Sequence, residues 1–470
     1  MNPNSCCMNN TEKMKTVNPA TNKPLKTYDE MSIKEAGKII DQTHTAFEQW
    51  RDLSYKKRAE HFYKLADLLE ERKGEFAALM TDEMGKVKKQ GVGEIEKCAW
   101  VCRYYAENAR KFLKDTHIKT DMDDSFVTYQ PIGVVLAIMP WNFPFWQVLR
   151  FAAPTMMAGN GAVLKHATAT TGCALAIEQL FIDAGFPKDI FRTLLVSGKN
   201  ASDLIDHKKI RAVTLTGSTD AGKKIAERAG ANLKKTVLEL GGSDAYLILK
   251  DANIKKAATL CTKGRLQNAG QSCIAAKRFI VVNDIYDDFI KAFKSEMEKQ
   301  SLGYPADDEI DLGPMSSVSL RDELHKQVER SVKSGAKCIL GGEKPDREGA
   351  WYPPTILTDV SEGMPAYSEE LFGPVAIVIR AKDEEDAIRI SNSSEFGLGG
   401  GIMSGNVDHA IAIARTRLDT GNVAVNDFVK SNPHLPFGGV KNSGYGRELS
   451  QFGIHEFVNI KTVTASRDKN

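Results

Sequence analysis

Three short stretches of this 470-residue sequence hold side chains that could do covalent chemistry. Cys273 ends a run of small and polar residues, and a cysteine thiolate is a strong nucleophile in an electropositive, partly open setting. Glu239 stands among apolar residues before a glycine pair, and half-burial would raise its pKa toward that of a general base. Asn142 lies between two prolines that would hold its amide rigidly, as an oxyanion donor requires.

Each of these residues also has an ordinary structural interpretation. A single cysteine is most often a small buried apolar residue, and both Glu before Gly-Gly and Asn beside proline are common in turns. The spacing alone does not show that Cys273, Glu239 and Asn142 meet in space. A cofactor-independent cysteine hydrolase or acyltransferase, in which a histidine activates Cys273, therefore stays open at this point.

A glycine turn in the run TLTGSTDAGKKI suggests a phosphate site. The Gly-x-Gly-x-x-Gly dinucleotide fingerprint is absent from the sequence, but residues 217–222 nearly match the phosphate-binding loop of nucleotidases. Lys224 stands where a hydroxyl would hold magnesium, which argues against nucleotide hydrolysis. A glycine turn before a helix still favours binding of some phosphate group.

The chain shows two successive patterns of apolar residues. From Ile33 to about Lys114 apolar residues recur every three or four positions, which predicts helices with Cys98 and Cys102 buried one turn apart. After residue 125, short apolar runs alternate with helical stretches, which is typical of parallel sheets covered on both faces. The strand-like runs of a first unit are VVLAIM, GAVLKH, FRTLLV, RAVTLT and AYLILK, and a second series begins near Lys277 with KRFIVV and continues through KCILGG, VAIVIR and NVAVND.

Three further segments bear on assembly and location. The runs SFVTYQPIG and EFVNIKTVTAS alternate like exposed strands, which would pair with each other or across a subunit boundary. Residues 132–149 are apolar enough to imitate a membrane span, but two prolines and an asparagine interrupt them, so a strand, a turn and a helix are predicted. Residues 1–13 are predicted to be a disordered leader.

The composition excludes several classes of protein. The net charge is +2, with 42% hydrophobic and 26% charged residues, which is typical of a folded soluble protein and not of a nucleic-acid binder. Eight cysteines in a chain of this length are too few for a disulfide scaffold, and no metal-ligand spacing occurs. We therefore expect a cytoplasmic protein with no metal, no nucleic-acid partner and no membrane association.

Seven motifs together make the sequence resemble the NAD(P)-dependent aldehyde dehydrogenase superfamily. The resemblance implies that family's α/β fold, with a Rossmann-like cofactor domain over residues 14–118 and 133–241 and an α/β catalytic domain over residues 242–443. A β oligomerisation arm would comprise residues 119–132 and 456–470, and would build a homodimer or homotetramer. The motifs are PWNFPFWQ, LKHA, LTGSTDAG, LELGG, NAGQSC, EELFGP and PFGGVKNSGYGRE.

The resemblance assigns a role to each of the three candidate catalytic residues. Cys273 matches the nucleophile that forms a thiohemiacetal with the aldehyde, and Asn142 matches the oxyanion donor. After hydride transfer to NAD or NADP, Glu239 matches the base that activates water to hydrolyse the thioester. The motifs near Cys273 contain no histidine, so the resemblance disfavours the hydrolase.

The resemblance also implies a set of cofactor-binding residues. Lys165 would bind the adenosine ribose, Gly217 and Ser218 the pyrophosphate, and Glu370 the nicotinamide ribose. Thr168 stands where members that prefer NAD often carry a glutamate that repels a 2′-phosphate, so we expect NADP to be accepted and leave the preference open. The other residues expected along the cofactor are Trp141, His166, Ala167, Leu240 and Phe372.

Within the family, the sequence looks most like the succinate-semialdehyde dehydrogenases. Arg150 and Ser450 match positions that bind the distal carboxylate of that substrate, and a guanidinium suits a carboxylate well. The alternative for Arg150 is a solvated helix residue. Gln267 departs from the group, which often carries an arginine there, and this keeps a broader or different aldehyde specificity open.

Overall fold

The computed structural model describes residues 13–467, so the leader expected over residues 1–13 lies outside the described residues except for Lys13. The strands are β1 (Lys13–Asn18), β2 (Lys23–Asp29), β3 (Thr116–His117), β4 (Asp124–Pro131), β5 (Val134–Met139), β6 (Gly161–His166), β7 (Phe191–Thr193), β8 (Ile210–Thr216), β9 (Lys235–Glu239), β10 (Asp244–Ile248), β11 (Ala276–Val282), β12 (Lys337–Leu340), β13 (Thr355–Thr358), β14 (Val375–Ala381), β15 (Phe396–Gly397), β16 (Gly399–Met403), β17 (Asn422–Val425), β18 (Val440–Lys441), β19 (Gly444–Tyr445) and β20 (Val458–Ala465).

The helices alternate with these strands through most of the chain. The α-helices are α1 (Ile33–Trp50), α2 (Tyr55–Glu71), α3 (Lys73–Met84), α4 (Lys88–Phe112), α5 (Trp146–Met157), α6 (Thr171–Asp183), α7 (Gly198–Ala201), α8 (Thr219–Ala231), α9 (Ile254–Leu266), α10 (Tyr286–Glu298), α11 (Val318–Lys333), α12 (Pro365–Ser368), α13 (Glu384–Asn392), α14 (Val407–Thr416) and α15 (Ser450–His455). None of the helices within residues 13–467 is long and apolar enough to cross a membrane.

The helical texture predicted near the N-terminus corresponds to α1–α4. Ser32 and Glu35 form a capping box that starts α1, because each side chain bonds the other residue's backbone N–H. Gly85 ends α3 in the left-handed conformation that favours glycine. Cys98 and Cys102 are fully buried on α4, as predicted. The hairpin β1–β2 before these helices was not predicted.

The first large sheet has six strands in the order β19-β9-β8-β5-β6-β7. All neighbours are parallel except β19 and β9. From β5 the chain proceeds to β6 and β7 on one side and returns to β8 on the other, so the topology switches direction beside β5. In open α/β sheets a ligand crevice forms at such a point, outside the carboxyl ends of the strands.

The second large sheet has seven strands in the order β12-β13-β14-β11-β10-β16-β17. The run AYLILK was predicted in the first unit, but it forms β10, which pairs with β11 and β16 in this second sheet. The second series therefore begins at Asp244 and not near Lys277. The reason is the short connection after Glu239, which carries the chain directly from one sheet to the other through the glycine pair.

Strand β16 was also missed, because its sequence GGGIM lacks the side chains that favour strands. Its glycines are required by close packing. A Cβ atom on Gly401 would lie 2.4 Å from the Tyr246 ring. The strand is therefore specified by its neighbour in the sheet rather than by its own residues.

A three-stranded antiparallel sheet, in the order β20-β4-β3, contains the two exposed strands noted in the sequence. They pair with each other along eight residues, from Val458 opposite Pro131 to Ala465 opposite Asp124. This register confirms the first of the two pairings that the sequence suggested, that of the two strands with each other. The outer edge of β20 is exposed, with Ile460 62% accessible.

Gly444 in β19 is expected to be essential for stability, because φ is +106° and a Cβ atom would lie 1.9 Å from the Leu238 carbonyl oxygen. Gly444→Ala should lower the free energy of unfolding by more than about 2 kcal/mol, the sum of left-handed strain and overpacking. Gly230→Ala is the matched control, since Gly230 is in α8 with open space around it and alanine should stabilise the helix by about 0.5–1 kcal/mol. Urea denaturation measures both, and equal midpoints for Gly444→Ala and wild type would show that β19 tolerates a side chain at this position.

Candidate active site

A cavity of about 850 Å³ lies between α4, α5 and the segment 422–437. Cys273 lines this cavity together with Arg150, Gln267 and Lys97. The segment predicted from its prolines to be a strand, a turn and a helix is β5, the loop 140–145 and α5, so that prediction is confirmed. Some side chains of α5, that of Arg150 among them, line the cavity together with Cys273, and the loop 140–145 precedes this helix.

Cys273 is presented by a left-handed loop. Asn268, Ala269 and Gly270 have φ values of +54°, +54° and +74°, and residues other than glycine adopt this conformation at a cost. Glycine is required at residue 270 because a Cβ atom there would lie 2.3 Å from the Gly373 carbonyl oxygen. Buried Arg265 fixes the loop by donating to the Gly270 carbonyl oxygen at 2.6 Å. The surrounding structure thus holds a strained backbone that points the cysteine at the cavity.

The Cys273 thiol is held in its protonated form. Burial raises its pKa to about 12, and the positive charges of Arg150 and Lys277 oppose this only in part. Lys277 donates to the Cys273 carbonyl oxygen at 2.8 Å. The thiol therefore needs help to lose its proton before it can act as a nucleophile.

Asn142 is buried beside the cysteine loop. Its amide nitrogen donates to the Gln271 carbonyl oxygen at 3.1 Å, which leaves its second N–H available. The carbonyl oxygen of Asn142 accepts from the Asn268 amide at 2.8 Å. The loop after β5 and the loop before Cys273 are therefore bonded to each other in both directions.

Glu239 is more deeply buried than the sequence suggested. It was expected to be half-buried, but it is 1% exposed, and neither carboxyl oxygen has a hydrogen-bond partner among the described residues. Burial raises its pKa well above the usual value, and the nearby carboxyl of Glu448 adds to this while Arg150 and Arg447 oppose it. Neither Glu239 nor Asn142 is among the residues that line the cavity.

The predicted cofactor residues of the first sheet follow the carboxyl ends of four strands. Trp141 follows β5, Thr168 follows β6, Gly217 follows β8, and Leu240 follows β9. Their neighbours in the sequence that share these positions are Lys165, His166, Ala167 and Ser218. The structure therefore brings them to one edge of the sheet, at the switch point beside β5.

Ser218 and Lys165 have the surroundings expected of ligand-binding groups at this edge. Ser218 caps α8 by accepting from the Ala221 N–H at 3.3 Å, so the positive end of the helix dipole faces the crevice. Lys165 is buried, which lowers its pKa, while the charge of Glu30 opposes this shift. Both features suit a negatively charged group.

His166 is different, because its ring is used inside the protein. One ring nitrogen accepts from the Ala167 N–H at 2.9 Å, so the other carries the proton and donates to the Pro144 carbonyl oxygen at 3.0 Å. Burial lowers its pKa to about 4, which keeps the ring neutral. The His166 side chain therefore holds the loop 140–145 in place through the Pro144 carbonyl oxygen.

Glu370 and Phe372 approach from the second sheet. The Glu370 carboxylate accepts from the Gly242 N–H at 3.1 Å and lies 3.2 Å from Lys277. The Phe372 ring meets Trp141 edge to face, with 5.8 Å between centroids. These contacts join the predicted cofactor residues of the two sheets.

Arg150 is 2% exposed, which excludes a solvated helix residue at this position. Its guanidinium lies 2.5 Å from the Glu448 carboxylate and 4.9 Å from the centre of the Phe437 ring. Ser450 is also buried, but its hydroxyl accepts from the Phe452 N–H at 3.3 Å and it is not among the cavity-lining residues. The structure thus brings Arg150 to the cavity with Cys273 and does not bring Ser450 there.

Known proteins of one family match nearly the whole chain. The model of the aldehyde dehydrogenase family matches residues 7–463. The chain belongs to the aldehyde dehydrogenase family. The mixed α/β fold with its parallel sheets is that of solved aldehyde dehydrogenases, as the resemblance implied.

Individual relatives match this aldehyde dehydrogenase over nearly its full length. A probable NADP+ succinate-semialdehyde dehydrogenase from Synechocystis is 46% identical, over 95% of this chain and 98% of that protein. The NADP+ succinate-semialdehyde dehydrogenase of Mycobacterium leprae is 43% identical with the same coverage. The crystal structure of succinic semialdehyde dehydrogenase from Streptococcus pyogenes in complex with NADP+ superposes with a TM-score of 0.94 at 38% identity, over 97% of this chain and all of that one.

Two features of this aldehyde dehydrogenase site were not predicted. Lys86 and Glu94 form a fully buried ion pair, and no short motif marks two charges eight residues apart as partners. Lys86 donates to the Asn142 carbonyl oxygen at 2.9 Å, and Glu94 accepts the N–H groups of Phe145 and Trp146 at 3.0 Å each. The second feature is Lys97, one turn further along α4 on the cavity wall.

Alkylation of Cys273 by iodoacetamide, without cofactor, is expected to become about tenfold faster per pH unit from pH 7 to pH 10, because the thiolate fraction rises in that way below a pKa of about 12. Peptide mass spectrometry resolves Cys273 from the exposed Cys338, which serves as the reference in the same sample. A Cys273 rate that levels off below pH 9 would show that Arg150 and Lys277 outweigh burial.

Proposed function

We propose that this aldehyde dehydrogenase oxidises succinic semialdehyde to succinate with NAD(P)+ through a thioester on Cys273. The observation that carries the proposal is Arg150, a buried guanidinium that lines the same cavity as the nucleophile. A guanidinium binds a carboxylate with two parallel hydrogen bonds, so Arg150 would hold the distal carboxylate of the substrate. The names of the relatives from Synechocystis and Mycobacterium leprae support this substrate and NADP+.

In the proposed reaction, Cys273 loses its proton and its sulfur bonds the aldehyde carbon. The free N–H of Asn142 would donate to the oxyanion that forms. Its position is fixed because the Asn142 carbonyl oxygen accepts from Lys86 and the side-chain amide donates to the Gln271 carbonyl oxygen. A bound NAD(P)+ supplies the acceptor for the hydride. Covalent attachment to sulfur divides one difficult oxidation into two easier steps.

Glu239 is the proposed base for the hydrolysis that follows. A carboxyl with a raised pKa can take a proton from water near neutral pH once it is ionised. Glu239 is buried, has no hydrogen-bond partner among the described residues and does not line the cavity, so its side chain would turn toward the cavity to activate water. Glu239 would then be the group that limits turnover.

The residues at the sheet edge fit a dinucleotide. The N-terminus of α8, which follows Gly217 and is capped by Ser218, would face the pyrophosphate with its positive end. Lys165 and Glu370 would hold the two riboses, and Trp141, Leu240 and Phe372 would border the path. Thr168 carries no charge to repel a 2′-phosphate, which supports the use of NADP+. Of His166 and Ala167 we propose backbone contact only, because the His166 ring is occupied.

A broader aldehyde specificity is the second candidate, and the observation that favours it is Gln267 on the cavity wall. Its amide carries no charge, so it would bind a carboxylate less tightly than an arginine. A hydrolase with a histidine base has no comparable support, since no histidine lines the cavity within the described part of the chain.

The domain organisation supports the same proposal. Residues 14–118 and 133–241 would bind the cofactor, and residues 242–443 would form the catalytic domain. Residues 119–132 and 456–470 would form an arm, and the exposed edge of β20 supports pairing in a homodimer or homotetramer.

We propose a cytoplasmic location, because the chain has few cysteines for its length.

The test is reduced-nicotinamide absorbance with NAD+ and NADP+, each against succinic semialdehyde and uncharged butanal. We expect a large preference for succinic semialdehyde, and at least a thirtyfold loss of kcat/KM for it in Arg150→Ala because the carboxylate loses its guanidinium. The charge of Arg150 also acts on Cys273 and Glu239, an effect that both aldehydes share, so the ratio of the two kcat/KM values measures the loss of the contact with the carboxylate. Equal rates of the wild type on both aldehydes would support the broader specificity instead.

Glu239→Gln is expected to form the thioester but hydrolyse it slowly, because the amide cannot accept the proton of water. Rapid mixing should show a burst of about one reduced cofactor per active site, followed by a steady rate at least a hundredfold below that of wild type. Cys273→Ala is the control and should show neither phase while still binding cofactor. Full steady turnover of Glu239→Gln would remove the base role from this residue.

A further inference from the structure

We infer that Lys97 is a second cation of the substrate site and binds the distal carboxylate together with Arg150. This inference rests on the proposed function and specifies which residues select an acidic aldehyde. Lys97 is on α4 and Arg150 is on α5, and both line the cavity.

The position of Lys97 is defined by two contacts. Its ammonium group donates to the Ser431 hydroxyl at 2.6 Å and lies 4.2 Å from the centre of the Trp146 ring. Trp146 and Arg150 are four residues apart on α5, so they share one face of that helix. Lys97 therefore lies beside Arg150 on the cavity wall.

The charge of Lys97 lacks a counterion. Three other cations of the cavity region have carboxylate partners: Lys86 pairs with Glu94, Arg150 with Glu448, and Lys430 with Asp427. For Lys97, only the Ser431 hydroxyl and the Trp146 ring are direct partners, and no carboxylate oxygen among residues 13–467 lies within 4.0 Å of its nitrogen.

Lys97 is half-buried, so the absence of a counterion destabilises its charge in part, and an anionic ligand between two cations would remove that destabilisation. Burial and the charge of Arg150 lower the pKa of Lys97 to about 8, which is the response expected of two facing cations. A carboxylate of the substrate would be attracted by both. An uncharged aldehyde would leave Lys97 as it is.

Lys97 would also supply the positive charge that Gln267 does not. Gln267 lines the same cavity, and its amide carries no charge. Lys97 supplies a positive charge from a different element, α4. The specificity for an acidic aldehyde would then depend on Arg150 and Lys97 and not on residue 267.

The test compares kcat/KM for succinic semialdehyde and butanal in Lys97→Met, Lys97→Arg and wild type. We expect Lys97→Met to lose at least tenfold with succinic semialdehyde, mainly through KM, and less than threefold with butanal. Lys97→Arg should recover most of the loss, because it restores the charge. Lys430→Met is the matched control, since its charge is already paired with Asp427, and it should leave both values within twofold.

Each outcome has one meaning. Equal losses of Lys97→Met on both aldehydes would show that Lys97 only supports the packing of Trp146, and unchanged values would show that it does not meet the substrate, so either result overturns the inference. A wild type without preference for succinic semialdehyde overturns the proposed function, and this inference with it. A preference that is as large in Lys97→Met as in wild type overturns the inference alone.

Discussion

The buried ion pair of Lys86 and Glu94 is the interaction on which the active-site geometry depends. Its lysine bonds the Asn142 carbonyl oxygen, and its glutamate accepts two N–H groups at the start of α5. Removal of either partner would leave an uncompensated charge in the interior, which costs about 3–5 kcal/mol. One pair thus sets both the loop that carries Asn142 and the helix that carries Arg150.

The second constraint is the place where the two sheets meet. The chain passes from β9 to β10 through Gly241 and Gly242, and a Cβ atom on Gly242 would lie 2.7 Å from the Cys273 carbonyl oxygen. Because of this close approach, the residues that follow β9 face the loop that carries Cys273. The left-handed backbone at residues 268–270 is the cost of that arrangement, and such strain persists only where the surroundings fix it.

The positive charge of Arg150 affects the pKa of buried carboxyls on one side and of a lysine on the cavity side. Burial raises the pKa of both Glu239 and Glu448, and the charge of Glu448 raises that of Glu239 further, while Arg150 opposes both shifts. On the cavity side, the charge of Arg150 lowers the pKa of Lys97. The charge of Arg150 therefore acts both on the buried carboxyls and on the cavity. A substrate carboxylate bound to Arg150 would reduce the effect of that charge on the pKa of Glu239.

The sequence alone determined the helices of α1–α4, the strand-turn-helix of β5 and α5, and the family, because these depend on local periodicity, on proline and glycine, and on motifs of adjacent residues. The pattern of strand-like runs grouped β10 with the first unit, although the resemblance began the catalytic domain at residue 242, and it did not reveal β16, since membership in a sheet is decided by neighbours distant in the chain. The tertiary structure alone decided the burial of Glu239 and the partner of Arg150. It also brought Lys97 to Ser431, 334 residues away, because burial and ion pairing depend on which distant segments come into contact.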